Sequence, residues 1–247
     1  MIKRQIPNII TLCNLLCGVF AIITLGNGTL QAPCFIILGA ILDFFDGMVA
    51  RLLKVEGMIG KELDSLADVV TFGVAPALIA LTLLMEQLGC MDFPLALVAL
   101  IPLSMALMSA YRLAKFNIDT RQTTSFLGVP TPLNALLWLS IPIIAHLSLT
   151  KQHLWGWYGE GFYRTIASVL TNEWFIIVGS VLMSVFMVIE IPMLALKFKN
   201  MKWQDNKERF LFIIISLALI FVLNVYAVPF VVIIYILISI ISNIVKR

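Results

Sequence analysis

Four aspartates, Asp43, Asp46, Asp64 and Asp68, lie within two neighbouring apolar stretches of the chain. The segment that carries them reads LDFFDGMVARLLKVEGMIGKELDSLAD. A charged side chain at the depth of a bilayer costs roughly 3 kcal/mol or more, so such acids face the interior of a helical bundle rather than lipid. Four acids of one sign also need a cation of comparable charge beside them. The segment therefore predicts a buried polar site between two helices.

The composition of the chain is that of an integral membrane protein. Of its 247 residues, 61% are hydrophobic and 13% are charged, and the mean hydropathy is +1.01. Soluble domains carry about 25% charged residues. We therefore expect an all-α fold, a polytopic transmembrane helical bundle that forms a single integral membrane domain over residues 1–247. No basic patch of the kind that binds nucleic acid is evident, so no nucleic-acid partner is expected.

The apolar stretches predict the number of membrane spans. A transmembrane helix needs about 20 mostly apolar residues. By this criterion we expect about eight spans, at residues 8–26, 31–53, 61–85, 93–115, 132–149, 174–196, 208–224 and 227–245. Six or seven spans are the alternatives, since only about three residues and Pro229 separate the last two stretches. An even number of spans returns the C-terminus to the side of the membrane on which the N-terminus lies.

Positive charge is distributed unevenly between the two sides of this predicted bundle. With the N-terminus in the cytoplasm, every Lys and Arg except Lys151 and Arg164 falls at a cytoplasmic end of a span. Cytoplasmic loops of membrane proteins carry an excess of Lys and Arg. The pattern predicts cytoplasmic N- and C-termini, a multi-pass protein of the cell (cytoplasmic) membrane, and an aspartate site that opens toward the cytoplasm.

The spacing of the acids places them on two helix faces. Residues three or four apart lie on the same side of a helix. One face of the second predicted span carries Asp43, Asp46, Gly47 and Ala50, with Arg51 at its edge. One stripe of the third span carries Gly60, Asp64 and Asp68. A short link joins the two spans as antiparallel neighbours, so both faces can meet in one cavity, and the small residues leave room for a ligand.

Carboxylates in this arrangement favour a particular class of metal. Carboxylate oxygens bind hard cations such as Mg²⁺ or Mn²⁺, whereas zinc prefers His and Cys. Four carboxylates suit a pair of ions about 3.5–4 Å apart, a geometry used in phosphoryl transfer. Arg51 can then bind phosphate through two parallel hydrogen bonds. Glu190, an acid in the sixth predicted span, has no partner that the sequence makes evident.

At this point the residues match a known pattern. One run reads D-x-x-D-G-x-x-A-R from Asp43 to Arg51, and eight residues later a second run reads G-x-x-x-D-x-x-x-D from Gly60 to Asp68. Together the two runs resemble the complete signature of the CDP-alcohol phosphotransferases. The resemblance implies a membrane enzyme that transfers the phosphatidyl group of a CDP-linked lipid to an alcohol and releases CMP.

The resemblance also implies roles for individual residues. The first three aspartates, Asp43, Asp46 and Asp64, correspond to ligands of divalent metal, and Asp68 corresponds to the residue that completes the metal site and acts as general base. Gly47 and Arg51 correspond to positions that line the CDP site. Apart from the resemblance, Asn8 and Thr11 lie a turn apart at the start of the first span and can reach the cytidine or its phosphates, or can be simple polar residues of a helix N-terminus. The CDP and phosphate site is thus expected to be formed by Asn8, Thr11, Gly47, Ala50, Arg51 and Gly60.

Flanking motifs resemble one branch of the family, the phosphatidylserine synthases. They begin at Pro7, Phe72, Ser109 and Phe126 and read PNxxTxxN, FGxAPA, SAxRLAxFN and FxGxPxP. The likeness extends over roughly residues 5–135, the expected catalytic core, and the C-terminal spans at about 174–245 are expected to complete the bundle or an oligomer interface. It implies CDP-diacylglycerol and L-serine as substrates, phosphatidylserine and CMP as products, and two Mg²⁺ or Mn²⁺ ions as cofactors. A homodimer in the lipid bilayer is expected.

Three residues of the fourth span and its end are candidates for binding serine. Arg112 can bind the serine carboxylate, and Lys115 and Asn117 lie about a turn away. The alternative is that Arg112 is a cytoplasmic anchor of the positive-inside kind.

Other functions remain open from the sequence. A sister enzyme of the family would use glycerol 3-phosphate or an inositol phosphate, which calls for a more basic pocket. An intramembrane prenyltransferase also uses aspartates and Mg²⁺ on a diphosphate, but lacks the G-x-x-A-R continuation. A divalent-cation transporter would use the acids as a permeation site and predicts broken or polar segments in several spans.

Overall fold

The computed structural model of the protein describes residues 2–27, 30–55, 57–89, 93–119, 127–151, 157–194 and 203–245. Over these residues the chain is helical, with no strand apart from one isolated β-bridge between Leu127 and Pro192. The α-helices are α1 (Ile2–Thr24), α2 (Gln31–Leu53), α3 (Met58–Asp68), α4 (Ala75–Leu88), α5 (Phe93–Ala99), α6 (Ser104–Ile118), α7 (Thr131–Thr150), α8 (Glu160–Leu170), α9 (Glu173–Val188), α10 (Trp203–Leu223) and α11 (Val228–Val245). The predicted all-α fold is confirmed.

Much of the described chain is long and apolar enough to cross a membrane. Six helical stretches in this part of the chain meet that criterion: Gln5–Thr24, Gln31–Leu53, Met58–Leu88, Ala96–Ile118, Thr131–Thr150 and Asn206–Ile244. A further pair, α8 and α9, meets it together but is bent by 57° at a short break. The predicted polytopic membrane bundle is confirmed, whereas the side of the membrane on which the termini lie stays a prediction.

The last of these stretches folds back on itself. The chain reverses direction at a 3₁₀ turn, Asn224–Ala227. Beyond the turn, Ser242 donates a hydrogen bond to Glu208, near the start of the stretch, with 2.6 Å between the oxygens. α10 and α11 are therefore antiparallel neighbours, in agreement with two separate predicted spans at 208–224 and 227–245.

The predicted span 174–196 is wrong at its C-terminal end. α9 ends at Val188, and Ile189 already has an extended backbone with ψ 138°. Pro192 gives a physical reason, because proline disfavours the helical conformation of the residue before it and cannot donate a helical hydrogen bond. The described residues that follow α9, Ile189–Leu194, form a non-helical segment that we call the strap.

Helix α3 runs into α4 through a π-helical segment, Val69–Val74. Pro76 has no N–H for the carbonyl of Phe72, and its ring crowds that carbonyl, which favours a locally widened turn. The stretch from α3 to the end of α4 nevertheless remains one continuous span of 31 residues. Asp68 is the last residue before the widened turn, so the turn fixes where its side chain points.

Two glycines allow α1 and α2 to pack directly against this widened turn. A Cβ at Gly18 would lie 2.5 Å from Thr71 Oγ1 and 2.9 Å from its Cα, and a Cβ at Gly39 would lie 2.6 Å from Thr71 Cγ2. The Thr71 hydroxyl donates a hydrogen bond to the backbone carbonyl of Asn14, at 3.1 Å. Three helices are thus held in close contact one turn from Asp68.

The interior contains large aromatic side chains that join the C-terminal hairpin to the rest of the bundle. Trp138 of α7, Tyr163 of α8 and Tyr226 of the α10–α11 turn are almost completely buried. The rings of Tyr163 and Tyr226 lie 4.8 Å apart between centroids. One cluster of buried apolar residues includes members of α1, α2, α4, α6, α7, α8, α9, α10 and α11. The single domain over residues 1–247 stays a prediction.

Replacing Gly18 tests the close contact of α1 with the π turn. Gly18→Ala is expected to destabilise the fold by about 1–3 kcal/mol, because the added methyl meets backbone atoms that cannot rotate away. The measurement is the midpoint of thermal unfolding in detergent. Gly161→Ala is the matched control, since a Cβ there meets nothing within 4 Å. Equal midpoints for the two variants would contradict the contact.

Candidate active site

Three of the four aspartates come together at the α2–α3 interface. Asp43 of α2 and Asp64 and Asp68 of α3 each place one carboxylate oxygen so that all three oxygens lie within 4.8 Å of one another. The i, i+4 spacing of Asp64 and Asp68 puts both on the face of α3 that meets α2. Helical periodicity in the sequence therefore predicts this cluster, which we call the carboxylate cluster.

The donor set of the carboxylate cluster fits a divalent cation. All three groups offer hard oxygen ligands, and Asp68 is only 9% exposed. Oδ1 of Asp64 and Oδ1 of Asp68 are buried and have no hydrogen-bond partner in the part of the chain that the structure describes. Buried polar atoms are normally satisfied, so these two oxygens indicate a ligand. Carboxylates alone favour Mg²⁺ or Mn²⁺.

Asp46 occupies a different position from the other three acids. It lies one turn along α2 from Asp43, it is 6% exposed, and it is not among the three clustered carboxylates. Its Oδ2 accepts a hydrogen bond from the hydroxyl of Thr11 in α1, at 2.5 Å. Asp46 also lines the neighbouring cavity, so the residue can still contribute to a metal site at the edge of the cluster.

A cavity of about 570 Å³ opens beside Asp46 and Asp64, between α1, α2 and α3. It is lined by Pro7, Asn8, Thr11, Asp46, Gly47, Ala50, Arg51, Val55, Gly57, Met58, Gly60, Lys61 and Asp64. All six residues expected at the CDP and phosphate site are in this lining. The structure thus brings together residues that are up to about 50 positions apart in the sequence, beside two of the carboxylates.

Glycines keep the walls of this cavity open. A Cβ at Gly60 would lie 3.4 Å from Asn8 Oδ1, and a Cβ at Gly47 would meet nothing nearer than a guanidinium nitrogen of Arg51 at 4.0 Å. Arg51 is exposed, and its Nε donates a hydrogen bond to the Gly47 carbonyl at 3.0 Å. The cavity therefore has a cation at its rim and carboxylates at its base, an arrangement that suits a phosphate bridged by metal.

Lys61 is a cavity residue that the sequence analysis did not assign to the site. It is exposed, and its ammonium donates a hydrogen bond to the backbone carbonyl of Asn117 at 3.0 Å. Its place one turn before Asp64 on α3 is a signal that could have identified it.

On the other side of the carboxylate cluster, α6 runs antiparallel to α3 and the π turn. Asn117 donates a hydrogen bond to Ser65 at 2.9 Å, and a Cβ at Gly73 would lie 2.8 Å from the Cβ of Ser109. Between these two contacts, Arg112 faces the Asp68 region and interacts electrostatically with that carboxylate. Arg112 is 8% exposed, and its Nε has no hydrogen-bond partner among the described residues.

The other two acceptor candidates have partners within the protein. Lys115 forms an ion pair with Glu190 of the strap, with 2.6 Å between Nζ and Oε1. Asn117 donates to Ser65 and also to Glu62, at 3.2 Å. Both contacts link α6 to neighbouring segments, and Glu190 thereby gains the partner that its sequence context does not reveal. Arg112 is the candidate whose side chain faces the carboxylate cluster.

Comparison with known proteins identifies the family. The sequence model of the CDP-alcohol phosphatidyltransferase family matches residues 4–186. The chain belongs to this family. The match covers α1 through most of α9 and includes the four aspartates, the cavity lining and Arg112, and it ends before the strap. The family is dependent on divalent metal, which agrees with the donor set of the carboxylate cluster, and the family resemblance of the aspartate pattern is confirmed.

Similar proteins in other organisms carry names that specify a substrate. The chain is 41% identical over 130 residues to the CDP-diacylglycerol–serine O-phosphatidyltransferase of Bacillus subtilis (strain 168), which covers 52% of this chain and 70% of that protein. It is 32% identical over 219 residues to the enzyme of the same name from Helicobacter pylori (strain 26695), which covers 87% of this chain and 81% of that protein. It is 31% identical over 172 residues to the archaetidylserine synthase of Methanothermobacter thermautotrophicus, covering 67% and 66%.

Metal binding by the carboxylate cluster can be measured without turnover. Mn²⁺ is expected to bind the purified protein in detergent, and Asp64→Asn is expected to weaken binding by about tenfold or more, because an amide is an uncharged and weaker ligand. The measurement is the loss of the free Mn²⁺ signal in electron paramagnetic resonance. Glu86→Gln, an exposed acid near the far end of the same span, serves as the control. Equal Mn²⁺ affinity in Asp64→Asn and the unaltered protein would contradict the site.

Proposed function

We propose that this protein transfers the phosphatidyl group of CDP-diacylglycerol to the hydroxyl of L-serine, which gives phosphatidylserine and CMP. The observation that carries the proposal is the carboxylate cluster, which lies between the cavity with its six expected CDP-site residues and the buried Arg112. The choice of serine is supported by the names of the bacterial relatives over 52% and 87% of the chain. The divalent-cation transporter and the prenyltransferase have no such support.

The cavity is the proposed site of the nucleotide. Asn8 and Thr11 of α1 face the cytidine and its phosphates, and Gly47 and Gly60 let the ligand approach the helix backbones. Arg51 at the rim binds a phosphate oxygen. Asp43, Asp46, Asp64 and Asp68 would hold one or two Mg²⁺ or Mn²⁺ ions, which when bound offset the charge of the pyrophosphate and of the departing CMP.

The proposed chemical step is a displacement at the lipid-linked phosphorus. Asp68 accepts the proton of the serine hydroxyl, and the oxygen forms a bond to that phosphorus. The bond between the same phosphorus and the bridging oxygen breaks, and CMP leaves with the electron pair. Asp68 is suited to this role by its position, because it lies in the cluster on the side that faces Arg112.

Arg112 is the proposed ligand of the serine carboxylate. It is buried, its Nε has no partner among the described residues, and it lies across from Asp68. A guanidinium binds a carboxylate through two parallel hydrogen bonds. Serine held in this way has its hydroxyl close to Asp68. Lys115 and Asn117 are proposed to lie around the bound serine without contacting it directly, because both have partners within the protein.

The positions of the charges support the proposed membrane setting of the reaction. The proposal places the protein in the cytoplasmic membrane with the cavity open to the cytoplasm, because the basic residues at the ends of the predicted spans favour that side. The acyl chains then stay in the bilayer while the nucleotide leaves into the cytoplasm. We also propose that the protein forms a homodimer in the bilayer.

Release of CMP tests the proposed function. Purified protein with CDP-diacylglycerol and Mn²⁺ should release CMP with L-serine, and much less with glycerol 3-phosphate or an inositol phosphate. EDTA should abolish the release, and Mg²⁺ or Mn²⁺ should restore it. Release that depends on one of the phosphorylated alcohols instead of serine would overturn the choice of acceptor, and recovery with zinc alone would overturn the metal assignment.

Arg112→Ala separates acceptor binding from nucleotide binding. Loss of a hydrogen-bond partner for a charged group costs about 1.5–3 kcal/mol, so the KM for serine is expected to rise roughly ten- to a hundredfold. CDP-diacylglycerol binding should change little. The control is Arg164→Ala in α8, an exposed arginine far from the site in the sequence. An unchanged serine KM in Arg112→Ala would leave Arg112 as a topology anchor.

Asp68→Asn tests the proposed general base. Asparagine keeps the shape of the side chain but cannot take up a proton at neutral pH, so kcat is expected to fall about 10²–10⁴-fold. CDP binding, measured by calorimetry in detergent, should persist because Asp43, Asp46 and Asp64 remain. Asp43→Asn should instead weaken the binding of metal and nucleotide together. Near-normal turnover in Asp68→Asn would mean that another group takes the proton.

A further inference from the structure

Asn14 of α1 has a buried side chain whose polar atoms are not used by the rest of the fold. The residue is 0% exposed, and neither Oδ1 nor Nδ2 of its carboxamide has a hydrogen-bond partner among the described residues. An unpaired buried polar group costs about 1–3 kcal/mol, and such groups are normally satisfied. Asn14 is the last residue of the PNxxTxxN motif that begins at Pro7, and the proposed chemistry gives it no role.

Two contacts fix the place of the Asn14 carboxamide. A Cβ at Gly39 of α2 would lie 2.9 Å from Asn14 Oδ1, so the carboxamide lies directly against the backbone of α2. The Thr71 hydroxyl donates a hydrogen bond to the Asn14 backbone carbonyl at 3.1 Å. The side chain is therefore enclosed where α1, α2 and the π turn meet.

This place is about one turn from two members of the carboxylate cluster. Gly39 precedes Asp43 by one turn of α2, and Thr71 follows Asp68 by one turn. Side chains of a helix lean toward its N-terminus and cover the preceding turn, so the Asp43 carboxylate leans toward Gly39 and toward the Asn14 carboxamide beside it. Residues one turn apart have Cβ atoms about 5–6 Å apart, a separation that one water molecule can bridge.

The preceding turn of α1 contacts the acids of α2 in the same way. Thr11 lies one turn before Asn14, and its hydroxyl donates a hydrogen bond to Asp46 Oδ2 at 2.5 Å. Because α1 and α2 are antiparallel, Asn14 lies beside the part of α2 that precedes Asp46, which contains Asp43. The cavity is lined by Thr11 but not by Asn14, so Asn14 lies at the end of the carboxylate cluster away from the cavity.

A hydrated cation in the carboxylate cluster would satisfy the two unpaired atoms of Asn14. Mg²⁺ prefers six oxygen ligands and keeps several waters when it is bound by protein. A buried water makes about three hydrogen bonds to polar groups. The carboxamide suits such a water, because Oδ1 can accept a hydrogen bond from it while Nδ2 donates to a carboxylate oxygen or to a second water.

We propose that Asn14 is a positioning residue of the metal site, whose carboxamide holds a metal-bound water at the end of the carboxylate cluster away from the cavity. Hydrogen-bond partners of metal ligands orient those ligands and raise the affinity for the metal. This inference rests on the metal site of the proposed function and adds to it a residue of α1 that contacts neither the substrates nor the ion.

The test compares Mn²⁺ affinity with the stability of the metal-free protein. Leucine has nearly the shape of asparagine but no polar atoms, so Asn14→Leu removes both hydrogen-bonding groups. Mn²⁺ affinity in detergent, measured from the free Mn²⁺ signal in electron paramagnetic resonance, should fall about ten- to a hundredfold. The midpoint of thermal unfolding without metal should stay the same or rise, because an apolar side chain replaces an unpaired buried carboxamide.

The two readouts distinguish the positioning role from a purely structural one, which predicts a lower midpoint without metal. The control is Thr82→Val in α4, several turns beyond Asp68 on the same span. It removes a hydroxyl that bonds the Leu78 carbonyl and should leave Mn²⁺ affinity unaltered. If the leucine variant does not fold, Asn14→Ala repeats the affinity measurement.

Two results would overturn the inference. One is Mn²⁺ affinity within about twofold of the unaltered value in the Asn14 variant, since loss of such a partner costs tenfold or more. The other is a loss of affinity in Asn14→Leu together with a lower midpoint without metal. Absence of Mn²⁺ binding in the unaltered protein would instead overturn the metal site of the proposed function.

Discussion

Repulsion among clustered carboxylates is the constraint on which the rest of the site depends. Two unit charges 4 Å apart repel by about 4 kcal/mol at an effective dielectric constant of about 20, and Asp43, Asp64 and Asp68 place oxygens within 4.8 Å of one another. A cation or protons must offset that repulsion. Until a ligand binds, the packing of the fold must hold the three acids together. Close packing at Thr71 supplies this rigidity, because Gly18 and Gly39 let α1 and α2 contact the π turn directly after Asp68.

The two sides of the carboxylate cluster differ in a way that suits a displacement reaction. On one side lies the cavity with Arg51 at its rim, and on the other lies the buried Arg112. A nucleotide leaving group and an acceptor can therefore approach the same phosphorus from different directions. The proposed general base, Asp68, lies on the acceptor side. In the proposed function, metal and phosphate chemistry therefore belongs to α2 and α3, and binding of the acceptor to α6.

Helical periodicity accounts for the parts of the site that the sequence predicts. Two helix faces can be specified without knowledge of the fold. They follow from the spacing of four residues between Asp64 and Asp68, and from Gly47 and Gly60, which lie on the same faces as the acids. Periodicity is local, however, and it does not specify which helices cross. The ion pair between Lys115 and Glu190 joins residues 75 positions apart, and the contact of Thr11 with Asp46 spans 35. The predicted span extends to residue 196, past the observed end of α9 at Val188, because apolar composition alone does not include the effect of Pro192. The sequence also predicts Asp46 within the cluster, because spacing alone does not reveal its hydrogen bond to Thr11.

The proposed function depends on the aspartates of α2 and α3 forming one metal site at the base of a nucleotide cavity. The most direct measurement is a structure of the protein with CDP and Mn²⁺, with the metal located by its anomalous scattering. We expect Mn²⁺ to be bound by oxygens of Asp43, Asp64 and Asp68, with a second ion about 3.5–4 Å away toward Asp46. The CDP phosphates should contact both ions and Arg51. Mn²⁺ bound elsewhere, or CDP bound outside the cavity while the carboxylates hold no metal, would contradict it.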